Sequence, residues 1–158
     1  MSTAGAQDLP LGAEEVTDLE DTRALARSVA AALPSGALLL LSGPLGAGKT
    51  TFTQAVAAAL GVTAPVTSPT YTLAHEYPSP AGTLVHLDAY RLGGGAPLAG
   101  AMLDDYLEHA RLVVVEWGED LLGEYPDAWW LEFGFLDSLA SPDPEAARRR
   151  YALWRHRP

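Results

Sequence analysis

Eight consecutive residues, Gly43-Pro44-Leu45-Gly46-Ala47-Gly48-Lys49-Thr50, fit the pattern G-x-x-x-x-G-K-[ST]. Such a loop has meaning in one setting: a strand delivers the chain into it and a helix carries the chain away. The flanks meet both conditions. Ala37 to Ser42 is a run of five apolar residues closed by a serine, which predicts a buried parallel strand. Lys49 to Leu60 predicts a helix, stopped by Gly61.

The rest of the chain extends that strand–loop–helix unit. Before it, Leu25, Val29 and Leu33 form a helical stripe, with Asp18 as N-cap and Asp21 as its reciprocal partner. After it come strands over Tyr71 to Tyr77 and Thr83 to Asp88, a helix over Pro97 to His109, and a buried strand over Leu112 to Glu116. Trp129 to Asp137 and Ala147 to Trp154 predict a closing antiparallel hairpin, with Trp129, Trp130 and Trp154 as its packing residues. Strands alternating with helices and then strand-rich ends predict a P-loop NTPase-like α/β three-layer fold. Its central sheet is mixed and mainly parallel, and the antiparallel hairpin lies at the C-terminal end. A length of 158 residues suits one domain, taken as 14–158, behind a disordered tail over 1–13.

The loop chemistry depends on these residue types. Glycines let the backbone curl so that successive N–H groups, and the positive end of the following helix, face phosphate oxygens. Lys49 is expected to reach the β- and γ-phosphates, Thr50 to offer its hydroxyl to Mg²⁺, and Thr51 to touch the α-phosphate. Lys49 is the sole lysine, and the other nine cationic residues are arginines. A chain that otherwise uses Arg thus puts its one compact ammonium at the phosphate position.

Such a site needs an acid to hold or orient metal and water. Asp88 closes the run Leu84-Val85-His86-Leu87, and Glu116 closes Leu112-Val113-Val114-Val115. The carboxyl ends of parallel strands are where α/β folds place ligands. His86 shares a strand face with Asp88 and Tyr90 by period two; it could orient Asp88 or an attacking water, and its plainer reading is a half-buried residue with a local hydrogen bond. The hydroxyl-rich segment Thr67-Ser68-Pro69-Thr70 reads as a switch segment sensing γ-phosphate or as a simple turn. Trp117 reads equally as a nucleotide neighbour and as core.

Several classes are excluded. Without Cys there is no disulfide framework and no Cys-built zinc site. No apolar run approaches the ~20 residues of a membrane span, and the N-terminus lacks the pattern of a secretory signal. Cytoplasmic residence is expected. A net charge of −10 argues against direct, tight binding to DNA or bulk RNA, and Arg148-Arg149-Arg150 reads as a solvated strand end. An Asn-Lys-x-Asp guanine motif is absent, and the chain is too short for an AAA+ module. A small metabolite kinase would need an Arg-rich lid, for which the only candidates downstream of the loop and outside the C-terminal cluster are Arg91 and Arg111.

Four ordered blocks carry a more specific signal. They are Gly46-Ala47-Gly48-Lys49-Thr50-Thr51-Phe52, Ser68-Pro69-Thr70-Tyr71-Thr72-Leu73, His86-Leu87-Asp88-Ala89-Tyr90-Arg91-Leu92 and Val115-Glu116-Trp117. In these blocks, and in their order from about Val16 to Glu119, the chain resembles the TsaE (YjeE) family of small bacterial ATPases required for threonylcarbamoyl-adenosine formation in tRNA. Pro44 departs from the acidic residue more usual there, Gly118 from a common Pro, and no motif carries over beyond Glu119.

The resemblance implies ATP binding by Leu45, Gly46, Ala47, Gly48, Lys49, Thr50 and Thr51. It implies Mg²⁺ ligation by Thr50 and Glu116. Asp88 becomes a Walker-B-like acid that either ligates the metal, supports its ligands or orients water. Thr70 joins a switch-like loop, Trp117 lies near the nucleotide or a partner, and Asp18 and Leu19 lie beside the adenine. It also implies partners, TsaD and TsaB, with tRNA held through them and threonylcarbamoyl transfer performed by TsaD. Two alternatives stand beside this: a P-loop kinase acting on a metabolite, and a nucleotide-gated interaction module whose turnover is incidental.

Overall fold

The computed structural model describes residues 8–16, 19–43, 48–66, 74–88, 96–116, 125, 127–135 and 149–154. Among these residues seven strands and three helices follow one another as β1 (Asp8–Val16), α1 (Leu19–Ala32), β2 (Ala37–Ser42), α2 (Lys49–Leu60), β3 (Ala74–Tyr77), β4 (Leu84–Asp88), α3 (Ala96–His109), β5 (Leu112–Glu116), β6 (Trp129–Phe135) and β7 (Arg149–Trp154). All strands join one sheet in the order β1-β7-β6-β2-β5-β4-β3. The four central strands β6, β2, β5 and β4 are mutually parallel, while β3 pairs antiparallel with β4 on one side and β7 pairs antiparallel with both β6 and β1 on the other. This is the mixed, mainly parallel sheet with a C-terminal hairpin that the sequence predicts.

β2 explains why the sheet has two covered faces. All six of its residues are buried. Leu39 and Leu41 pack with Leu25 and Val29 of α1 and with Phe52, Val56 and Leu60 of α2. Leu38 and Leu40 pack on the opposite face with Val113 and Val115 of β5 and Leu103 of α3. An apolar run without alternation is what a strand sandwiched between helical layers requires. At the junction of α2 and β6, the rings of Phe52 and Phe133 meet edge to face, with centroids 5.6 Å apart.

The helix ends are closed by identifiable bonds. The N–H groups of Gly61 and Val62 return to the carbonyls of Ala58 and Ala57, ending α2 where the sequence places its stop. The end of α1 is held from another layer: Arg111 donates to Ala30 O in its last turn at 2.8 Å and to Pro34 O just beyond it at 3.2 Å.

Two expectations are corrected. Residues 8–13, expected within a disordered tail, belong to edge strand β1, which pairs with β7 through Asp8↔Trp154 and then Ala13↔Ala152 to Val16↔Arg149. The register breaks between Asp8 and Ala13, the stretch that contains Pro10, as an edge strand tolerates. What orders this segment is the open edge of β7, which local composition does not reveal. β6, expected only as half of a hairpin, also lies parallel beside β2. Its tryptophans therefore enter different cores: Trp129 packs on the α1/α2 face and Trp130 on the α3 face. The capping residue Asp18, the start of the expected strand at Tyr71 and the end of the expected hairpin strand at Asp137 lie outside the described residues.

Candidate functional site

Because β2, β4 and β5 are parallel, their carboxyl ends share one edge of the sheet. Ser42, Asp88 and Glu116 close these strands, and the register sets Glu116 between Leu41 and Asp88. Alternation turns Leu84, His86 and Asp88 of β4, and Leu112, Val114 and Glu116 of β5, toward the face that α2 covers. The first turn of α2 therefore stands beside these carboxylates. Thr50 of that turn lies within 3.4 Å of the Glu116 carboxylate, and Asp88 is the register neighbour of Glu116.

The loop leaves β2 at Gly43, whose φ of 136° lies in the region that disfavours side chains. A Cβ there would fall 2.5 Å from the carbonyl oxygen of Phe133. The chain enters α2 at Gly48, with φ 108° and no side-chain cap on the helix. A helix begun this way presents first-turn N–H groups at its positive end, the arrangement that receives an anion.

Lys49 is 5% exposed, and its ammonium donates to the Gly43 carbonyl across the loop. A buried cation must be partnered, and this bond keeps the ammonium on the loop side of α2. On the next residue, the Thr50 hydroxyl lies 3.4 Å from Glu116 Oε1. The other carboxylate oxygen, Oε2, accepts a hydrogen bond from His86 Nε2 at 2.5 Å. Glu116 is buried and Asp88 is partly buried beside it.

This donor set fits Mg²⁺. A hydroxyl and a carboxylate oxygen are hard ligands, and neighbouring ligands around Mg²⁺ lie roughly 3 Å apart. Thr50 Oγ1 and Glu116 Oε1 are already near that separation.

His86 corrects its plainer reading. It is fully buried, and its hydrogen bond reaches 30 residues along the chain. Periodicity gave its face but not its partner, because the partner depends on β4 pairing with β5. Thr51 is exposed and lines a groove of about 360 Å³ between α1 and α2 with Leu19, Arg23, Arg27 and Gln54. Thr51 and Leu19, two residues picked for the nucleotide, thus share one groove. Arg111, one of two cations considered for a kinase lid, precedes β5 at the opposite end of the sheet, bonded to the end of α1. Leu45, Gly46, Ala47, Thr70, Trp117, Asp18 and Arg91 lie outside the described residues.

Comparison with known proteins bears on the whole arrangement. The family model described as threonylcarbamoyl adenosine biosynthesis protein TsaE matches residues 16–138. The chain belongs to the TsaE family. The match runs past Glu119 through β6, consistent with β6 being an inner strand rather than an appendage. Among the family's curated members, the protein from Streptomyces coelicolor is 45% identical over 104 residues, covering 65% of this chain and 70% of its own. The Bacillus subtilis TsaE is 40% identical over 107 residues, 68% of this chain and 66% of its own. Both bear the name tRNA threonylcarbamoyladenosine biosynthesis protein TsaE. The crystal structure of YdiB from Bacillus subtilis superposes with a TM-score of 0.69 at 29% identity, covering 95% of this chain and 87% of that one.

Proposed function

We propose that this TsaE-family chain binds ATP with Mg²⁺ and hydrolyses it, acting with TsaD and TsaB in the cytoplasm to support threonylcarbamoyl-adenosine formation in tRNA. The observation that carries the reading is the placement of Thr50 and Glu116 oxygens 3.4 Å apart beside the buried Lys49 ammonium. Phosphate, metal and acid functions converge there from three separate segments.

The residues divide the work. Lys49 exchanges its loop carbonyl for β- and γ-phosphate oxygens and offsets their charge. Thr50 and Glu116 hold Mg²⁺, which when bound would neutralise phosphate charge as the terminal bond breaks. Asp88, beside Glu116 in register, accepts a hydrogen bond from the attacking water and aims it. Gly46, Ala47 and Gly48 supply backbone N–H groups, Leu45 completes the loop, Thr51 meets the α-phosphate, and Asp18 and Leu19 bound the base end. Thr70 and Trp117 report nucleotide state to the partners. The transfer of the threonylcarbamoyl group belongs to TsaD, and tRNA is held through the partners.

Hydrolysis by the isolated chain should be slow, because a group supplied in trans contributes on the order of 10³–10⁵ in rate to comparable sites. The test is ATP hydrolysis by the purified chain with Mg²⁺, alone and with the TsaB–TsaD pair from the same source. Weak activity that the pair raises and Lys49→Ala removes is the expected result. A pair that neither binds nor stimulates the chain would overturn the proposed partnership.

A further inference from the structure

We propose that His86 is a positioning residue: it fixes one oxygen of Glu116 so that the other is presented beside Thr50. This rests on the reading of Thr50 and Glu116 as the metal's ligands. His86 sits in the middle of β4, paired on one side with His75 of β3 and on the other with Val114 of β5. Its side chain is fully buried on the face where Leu84 and Val114 are also buried. An aliphatic residue would fill that space without adding a polar atom. What the imidazole adds is the 2.5 Å bond from Nε2 to Glu116 Oε2.

The second ring nitrogen identifies the tautomer. His86 Nδ1 is buried and has no hydrogen-bond partner among the described residues. A proton on Nδ1 would therefore be a buried donor without an acceptor, whereas a proton on Nε2 points at a carboxylate oxygen. The ring thus donates through Nε2, and Oε2 is committed to it. Oε1 is left toward Thr50 Oγ1 at 3.4 Å. A glutamate at a strand end has three side-chain torsions to restrict, and a bond from a ring that cannot itself move restricts them. Carboxylate ligands held by such outer hydrogen bonds are a recurrent feature of metal sites.

The test measures ATP affinity by calorimetry with Mg²⁺ and with EDTA, for the full-length wild-type chain, His86→Leu and His86→Gln, with thermal unfolding alongside. His86→Leu keeps bulk and removes the donor; the amide of His86→Gln restores an N–H near the position of Nε2. In His86→Leu the gain in affinity given by Mg²⁺ should fall by about 10–100-fold while the Mg²⁺-free affinity is unchanged, and His86→Gln should recover most of the gain. A full Mg²⁺ gain in His86→Leu, equal losses with and without Mg²⁺, or no recovery in His86→Gln would overturn the proposal. Should His86→Leu fail to fold, ¹⁵N NMR of the wild-type imidazole decides: a proton on Nε2 that responds to Mg²⁺–ATP supports it, and a proton on Nδ1 overturns it. A wild-type chain that binds ATP with no Mg²⁺ gain would remove the metal reading itself. A wild-type gain that His86→Leu retains removes only the role of His86.

Discussion

Lys49, Thr50 and Glu116 illustrate how single residues define this site, and why one neighbour escaped. The first two stand in a motif with defined spacing, and Glu116 closes a run of buried apolar residues, so the position of each is legible locally. The bond from His86 to Glu116 is not, because it exists only once β4 and β5 pair in the register His86↔Val114 and Asp88↔Glu116. Two predictions belong at this scale. Glu116→Ala should weaken ATP binding in the presence of Mg²⁺ by roughly 10-fold or more while changing Mg²⁺-free binding little, as calorimetry will show; equal losses would take Glu116 out of the metal site. Gly43→Ala places a Cβ 2.5 Å from Phe133 O at a φ of 136°. It should lower unfolding stability by about 1–3 kcal/mol in urea titration; unchanged stability would show that the loop entry is not constrained as described.

At the scale of elements, β2, α2 and β5 have the boundaries that the sequence predicts, because each is bounded by its own chemistry: an apolar run closed by Ser42 or Glu116, a helix closed by Gly61. β1 and the inner position of β6 were not legible, since each depends on an edge offered by a distant strand. The α2 contact with β6 is tested by Phe52→Ala. Phe52 is fully buried, and its removal should cost about 3–5 kcal/mol in urea unfolding; a loss below ~1 kcal/mol would mean that α2 is not anchored there. Arg111 tests a different link. Arg111→Ala removes the donor to Ala30 O in the last turn of α1 and one of two donors to Pro34 O, and should lower stability by about 1–2 kcal/mol. Nucleotide affinity should be unchanged, whereas a marked loss would reopen the kinase-lid role for this arginine.

Across the whole molecule, α1 and α2 on one face and α3 on the other hold four parallel strands whose ends carry the site. Among the described residues no helix is long and apolar enough to cross a membrane. The net charge of −10 gives tRNA phosphates little to bind, so the isolated chain should show tRNA affinity weaker than about 100 µM at physiological salt in a mobility-shift assay; micromolar binding by the chain alone would contradict the proposal that tRNA is held through partners. The central claim is that Gly43–Thr50 seats the phosphates of ATP through Lys49. Its most direct test is calorimetric titration of ATP with Mg²⁺ into the wild-type chain and into Lys49→Ala, each shown to be folded. The wild type should bind, and the variant should lose at least about 100-fold in affinity, some 2.7 kcal/mol. Equal affinity for the two proteins would contradict the claim.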